Sequence, residues 1–200
     1  MPVLDDLHVG AQKIVEAMLK KILIALALIV IVFLIVVAMQ PADFRITRSA
    51  TIAAAPAAVF AQVNDFHKWE AWSPWAKLDP AMRTSYGGPA EGPGAIYTWS
   101  GNSQVGAGRM TITESHPPDV ILIKLDFLKP IAATNTAEFA FKPESGQTGV
   151  TWTMTGTNNF VGKAVCLFMS MDKMVGGDFE KGLAQMKALL EAAPKQSVAP

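Results

Sequence analysis

The chain has 200 residues with 17 basic and 17 acidic side chains, so its formal net charge is zero and no basic field is available for nucleic-acid phosphates. A single cysteine, Cys166, excludes an intrachain disulfide. The three histidines, His8, His67 and His116, are too dispersed for a metal-ligand cluster, and no metal or cofactor is expected.

Residues 1–21 form a charged N-terminal flank, of which residues 5–20 could make a short amphipathic helix. The next 18 residues, 22–39, carry no charge, glycine or proline. As a helix they would rise about 27 Å at ~1.5 Å per residue, close to the ~30 Å hydrocarbon core of a bilayer. The run is longer than the apolar core of a signal peptide, and Val36-Val37-Ala38 is a poor cleavage site. A transmembrane helix over residues 22–40 is therefore expected, with the lipid bilayer as its partner. Lys20 and Lys21 precede it, which places the N-terminus in the cytoplasm and the rest of the chain on the periplasmic or outer side.

Pro41 ends this helix. In residues 44–52, Ile46, Ala50 and Ile52 share one parity, while Arg45, Thr47, Ser49 and Thr51 share the other. That is the pattern of a half-buried strand. Arg48 interrupts the apolar parity, either at a bulge or by reaching a polar partner. Pro56 opens a short helix with Val59, Phe60 and Val63 on its apolar face. Trp69, Trp72 and Trp75 then crowd together, capping one end of a core or closing a binding site. Glu70 lies among them, and burial there would raise its pKa. Residues 87–94 are rich in glycine and proline but lack the Lys-Ser/Thr of a phosphate loop, so they read as a connection.

Strand patterns follow, separated by turn signals. Tyr97 and Trp99 share a face, as do Met110 and Ile112. Ile121, Ile123, Leu125 and Phe127 oppose Lys124 and Asp126, which leaves Asp126 on a solvated face. Ala137, Phe139 and Phe141 point one way, and so do Val150, Trp152 and Met154. Such a series predicts an antiparallel meander with one wet face. Residues 159–169 read as a short helix or lead-in with Cys166 buried among apolar neighbours. Residues 172–192 have helical period, with Val175, Phe179, Leu183 and Met186 on one stripe and Gly182 allowing close approach. Residues 193–200 are expected to form a flexible tail.

Four local sequences carry a resemblance. They are the segment from Ile52 through Pro56 to Phe60, the tryptophan-rich run from Asp65 to Trp75, the segment from Gly92 to Trp99, and the stretch from Gly177 to Lys187. Over residues 44–192 the chain resembles the SRPBCC superfamily, which holds START lipid-transfer domains, the birch-pollen-allergen fold and polyketide cyclases. It looks like a bacterial, membrane-anchored member of the polyketide cyclase-like branch. The resemblance implies an α+β helix-grip fold, in which an antiparallel curved sheet surrounds a long C-terminal helix and leaves an apolar cavity.

The alternation above nominates the residues that would line such a cavity. Trp99, Met110, Ile123, Leu125, Phe139, Trp152 and Met154 come from strands, and Met174 and Phe179 from the last helix. Trp69, Trp72 and Trp75 would close one end. The methionines suit an adaptable apolar site, or ordinary core filling. No set of polar residues matches a catalytic constellation, so catalytic residues are unassigned. The first expectation is a membrane-anchored domain binding a small hydrophobic or lipid-like ligand. The alternatives are a polyketide cyclase-like enzyme, and a structural or regulatory domain with a filled core.

Overall fold

The structure, a computed structural model, describes residues 2–192; the expected tail, residues 193–200, lies outside them. The chain begins with one continuous helix, α1 (Pro2–Met39), which crosses the boundary between the charged flank and the apolar segment unbroken. No helix breaker stands at that boundary: Lys20 and Lys21 are good helix formers. Residues 18–39 of α1 are long and apolar enough to cross a membrane, with a mean hydropathy of 3.6 over an 18-residue window, and nearly all their side chains are exposed.

Ten further elements and a 3-10 helix follow. They are β1 (Asp43–Ile52), α2 (Pro56–Asn64), the 3-10 helix Phe66–Ala71, β2 (Arg83–Gly87), β3 (Ile96–Ser100), β4 (Ala107–His116), β5 (Val120–Lys129), β6 (Ala133–Glu144), β7 (Gln147–Thr157), α3 (Phe160–Cys166) and α4 (Met171–Ala192). The strands form one antiparallel sheet in the order β1-β7-β6-β5-β4-β3-β2. Strands β2 to β7 are a meander, and β1 pairs with the last strand, Asp43 facing Thr157 and Ile52 facing Thr148. With α4 against one face, this is the helix-grip α+β arrangement. β2 has no counterpart in the sequence pattern, because it is a short edge strand exposed throughout its length.

The register aligns the apolar parities across the sheet. Ile112 faces Ile123, Ile123 faces Ala137, Ala137 faces Met154 and Met154 faces Ile46, so one row of the inner face is wholly apolar. Burying each large apolar side chain there contributes about 1.5–3 kcal/mol. The outer face is a hydroxyl ladder: Thr47 and Thr153 meet at 3.1 Å, and Ser49 and Thr151 at 2.9 Å. One face in the core and one in water is what the period-two alternation encodes.

The final helix lies over β1 and the tryptophan-rich segment. Phe179, Leu183 and Met186 are buried against the sheet. A Cβ added to Gly182 would stand 3.1 Å from both Pro74 and the Trp152 ring, so glycine is what lets α4 come this close. Arg48 explains its break in parity: β1 has no bulge there, and the side chain reaches α4. Its Nε donates to Glu180 at 2.6 Å and its Nη1 to Asp172 at 2.9 Å. Hydrogen bonding by the Arg48 guanidinium holds the Asp172 carboxyl below the usual carboxylate range, against a smaller opposing effect of burial.

A depressed native pKa adds stability above the carboxylate's unfolded value of about 4 and loses it as the pH falls through the native one. Wild type should therefore resist urea better than Asp172→Asn at about pH 7 and lose that advantage towards about pH 2. Denaturation midpoints in detergent at both ends of this range check it. A constant gap would show that the charge on Asp172 does not link α4 to β1.

Candidate functional site

The 3-10 helix positions two of the tryptophans. Asp65 caps it, its Oδ1 accepting from the His67 backbone N–H at 2.9 Å and lying 2.9 Å from His67 Nδ1. The α2 helix ends just before, and a helix C-terminus leaves carbonyls without partners. The Trp69 indole N–H donates to Val63 O at 3.0 Å, and the Trp72 indole N–H donates to Gln62 O at 3.1 Å. Each bond satisfies a buried indole and a helix-end carbonyl together.

Trp152 sits where these pieces converge. Its ring stacks on Phe179 of α4, with centroids 3.9 Å apart and planes 7° from parallel, and on Phe139 of β6 at 4.7 Å. Trp72 and Trp75 meet it edge-on at 5.9 Å, and Trp69 at 6.3 Å. Each such aromatic pair adds about 0.5–1.5 kcal/mol beyond its burial. Trp152 is 3% exposed, yet its Nε1 is the one buried side-chain polar atom among the described residues with no hydrogen-bond partner. An unpaired buried donor costs about 1–3 kcal/mol.

The sequence-nominated residues divide into two groups. Trp69, Trp72, Ile123, Phe139, Trp152, Met154 and Phe179 are buried in one cluster. Trp75, Met110 and Leu125 are half-buried against that cluster, and Trp99 is half-buried beyond it. Trp99 belongs to an aromatic chain on the inner face: it stacks on Tyr97 at 6.1 Å and meets Phe127 edge-on at 6.0 Å. Its indole N–H donates to Val105 O at 2.9 Å. The side chain of Met174 lies outside the described residues.

Two polar groups on this face fall outside the nominated set. Asn135 is buried at the inward position next to Ala137, with its amide nitrogen 3.9 Å from the Met154 sulfur. It was legible as the one amide on the inward parity of β6. Tyr97 shares a parity with Trp99; burial, then the nearby Tyr86 and Glu70, push its hydroxyl up to about 12. It stays protonated at neutral pH and can donate a hydrogen bond.

Other candidates resolve simply. Glu70 is exposed rather than enclosed by the tryptophans, because it faces away from them on the 3-10 turn. Cys166 is half-buried rather than buried, 3.6 Å from the Asn158 amide. Asp126 is half-buried on the outer face; burial pushes its pKa up, but Thr134, Lys124 and Arg109 together hold it below the usual carboxylate range. Residues 87–94 connect β2 to β3. Among the described residues, no three His, Cys, Asp or Glu side chains could hold a metal ion.

Two open depressions, of about 560 and 1080 Å³, lie on the outer face instead. The smaller is lined by Asp43, Arg45, Thr136 and Thr155, and the larger by Arg83, Thr98, Arg109 and Asp126. By register these side chains stand opposite the aromatic face.

The sheet, the gripping helix and the aromatic inner face define an SRPBCC-type helix-grip protein. Residues 43–191 match the family described as polyketide cyclase / dehydrase and lipid transport, and the chain belongs to that family. Protein Ms6760 from Mycobacterium smegmatis is similar at 20% identity and a TM-score of 0.52, over 75% of this chain and 92% of that one. Protein CV1439 from Chromobacterium violaceum is similar at 14% identity and a TM-score of 0.52, over 76% and 99%. The di-domain ARO/CYC StfQ from the steffimycin biosynthetic pathway is similar at 16% identity and a TM-score of 0.54, over 75% of this chain and 51% of StfQ. At these identities the likeness is one of fold. No curated protein matches the chain.

Proposed function

We propose that this protein is a single-pass, bilayer-anchored binding domain, with its N-terminus in the cytoplasm and its helix-grip domain, residues 44–192, on the outer side. The domain holds a small, mainly apolar ligand bearing a hydrogen-bond acceptor on the inner face of its sheet. The observation that carries this reading is the unpaired indole N–H of Trp152, a donor at the centre of the aromatic cluster. The other buried indoles of the cluster, Trp69 and Trp72, have acceptors within the protein. A ligand carbonyl, ether or hydroxyl would satisfy the remaining one. The half-buried Trp75 borders Trp152, and the half-buried Met110 and Leu125 extend an adaptable apolar surface further along the inner face.

The chemistry of these groups favours binding over bond-making. The inner face brings together aromatic and aliphatic side chains, with Tyr97 as a protonated donor and Asn135 as a neutral amide. A general base would need a pKa near neutrality and reach of a substrate proton. The family's lipid-transport description supports an apolar ligand, and the exposed apolar α1 supports the anchor.

The close stacking of Trp152 between Phe139 and Phe179 favours a second reading, a structural domain with a filled interior. Trp152→Phe separates the two, because it keeps the stacked ring and removes the donor. Native mass spectrometry of the gently extracted full-length protein should show a copurified small molecule. Its affinity should fall about 2–10-fold in the variant, as expected for one neutral hydrogen bond. Ligand-free wild type, or equal retention by the variant, would support the filled-interior reading.

A further inference from the structure

The chain leaves α1 at Met39 and enters β1 at Asp43, so only three residues separate the apolar helix from the sheet. That spacing brings one end of the sheet to the membrane surface. The same end holds the start of β1, the end of β7, the β5–β6 turn and α3, because Asp43 faces Thr157, Asn135 faces Gly156 and Phe127 faces Ala133.

Exposed apolar side chains concentrate at this end. Phe160, Val161 and Met169 are about half exposed, at 48%, 54% and 48%, and Phe168 is 79% exposed. The neighbouring β5–β6 turn adds Leu128 at 63% and Ile131 at 46%. Beyond α1 and residues 128–169, only Leu78, Tyr86 and Leu189 are large, apolar and exposed among the described residues. The far end of the sheet, at residues 114–119 and 142–147, has none.

This apolar patch is continuous with α1. Phe168 lies against Phe33 with centroids 6.4 Å apart, Val37 is fully buried, and Lys163 Nζ donates to Ala38 O at 3.3 Å. Phe33 lies six residues before Met39, about 9 Å back along the helix axis at ~1.5 Å per residue. Phe168 is therefore level with a part of α1 that lies inside the bilayer if α1 spans it. Interfacial helices bury their apolar faces about 5–10 Å into the headgroup boundary, so the depth fits. Residues 159–171 carry one charged side chain, Lys163, and its long stem lets the ammonium lie along the helix end.

We infer that residues 160–169 and the β5–β6 turn form a second membrane contact, which seats this end of the domain in the lipid surface beside α1. The inference rests on α1 spanning the bilayer. It deepens the proposed function, because Trp99 and Phe127 lie at the seated end of the inner face. An apolar ligand then passes between bilayer and aromatic face without crossing water.

The test uses the full chain in phosphatidylcholine–phosphatidylglycerol vesicles, in a Cys166→Ser background. Single cysteines at Leu28→Cys, Phe168→Cys, Ile131→Cys and Glu144→Cys carry an environment-sensitive nitrobenzoxadiazole label. All four side chains are exposed. Labels at 28, 168 and 131 should be blue-shifted and quenched by doxyl-labelled lipids, while the label at 144, at the far end of the sheet, should not. A quenched label at 28 with a label at 168 or 131 that behaves like 144 overturns the inference and leaves the anchor standing. A blue shift at 168 without lipid quenching also overturns it, because protein would then be covering the patch. An unquenched label at 28 overturns the anchor and the inference together.

Discussion

Trp152→Ala should be the most damaging single truncation in the helix-grip domain, costing about 3–5 kcal/mol. The ring is the shared face of two stacked pairs and three edge-on pairs, so its loss removes contacts to β6, to α4 and to the tryptophan-rich segment at once. The walls left behind are other rings held by their own hydrogen bonds, Trp69 to Val63 and Trp72 to Gln62. They cannot collapse freely into the hole, and a hole that does not close sits at the costly end of such substitutions. Against a typical domain stability of about 5–15 kcal/mol, this is a large fraction. Thermal or urea unfolding of the full chain in detergent measures it. A loss below about 1 kcal/mol would mean that the aromatic nucleus repacks, contrary to its dense packing.

The second large effect is expected at Gly106, which joins β3 to β4. Its φ is +63°, a region that costs an L-residue about 1–2 kcal/mol and a β-branched one more. A Cβ there would also press into the backbone carbonyl of Lys129 at the end of β5. Backbone cannot rotate aside as a flexible side chain can, so overpacking adds about 1–3 kcal/mol. Gly106→Val should lose about 2–5 kcal/mol in total and loosen the pairing of Ala107 with Lys129. Unfolding midpoints give the first quantity, and hydrogen exchange at the ends of β4 and β5 gives the second. Gly146 is the contrast: its φ is also positive, but a Cβ there meets no neighbour. Gly146→Ala should cost only the conformational part.

Much of the fold was legible because it rests on single periodicities. The alternation of Ile121, Ile123, Leu125 and Phe127 matches a strand with one face in the core. The Phe179, Leu183 and Met186 stripe matches a helix buried on one side. β2 could not be found this way: exposed on both faces, Arg83 to Gly87 has no apolar parity to display. The continuity of α1 through the charged flank was not legible, because a change in charge marks composition and leaves the helix backbone unaffected.

The candidate site was legible only as a list of inward residues. Parity places Trp99 and Trp152 on the same face, but it cannot say that Trp152 is stacked on both sides while Trp99 stays half-buried. That difference depends on where α4 and the 3-10 helix come to rest. Their seats follow from long-range contacts such as Arg48 with Asp172 and Glu180, and Gly182 with Pro74.

The pairing of β1 with β7 orders the assembly of the domain. The strand nearest α1 has its only partner more than a hundred residues later, from Asp43 to Thr157. Closing so long a loop costs entropy before any ladder bond rewards it, and such non-local pairing slows folding. The β2–β7 meander needs only neighbouring turns and can form first. β1 is then expected to zip last, its docking drawing the finished meander onto α1.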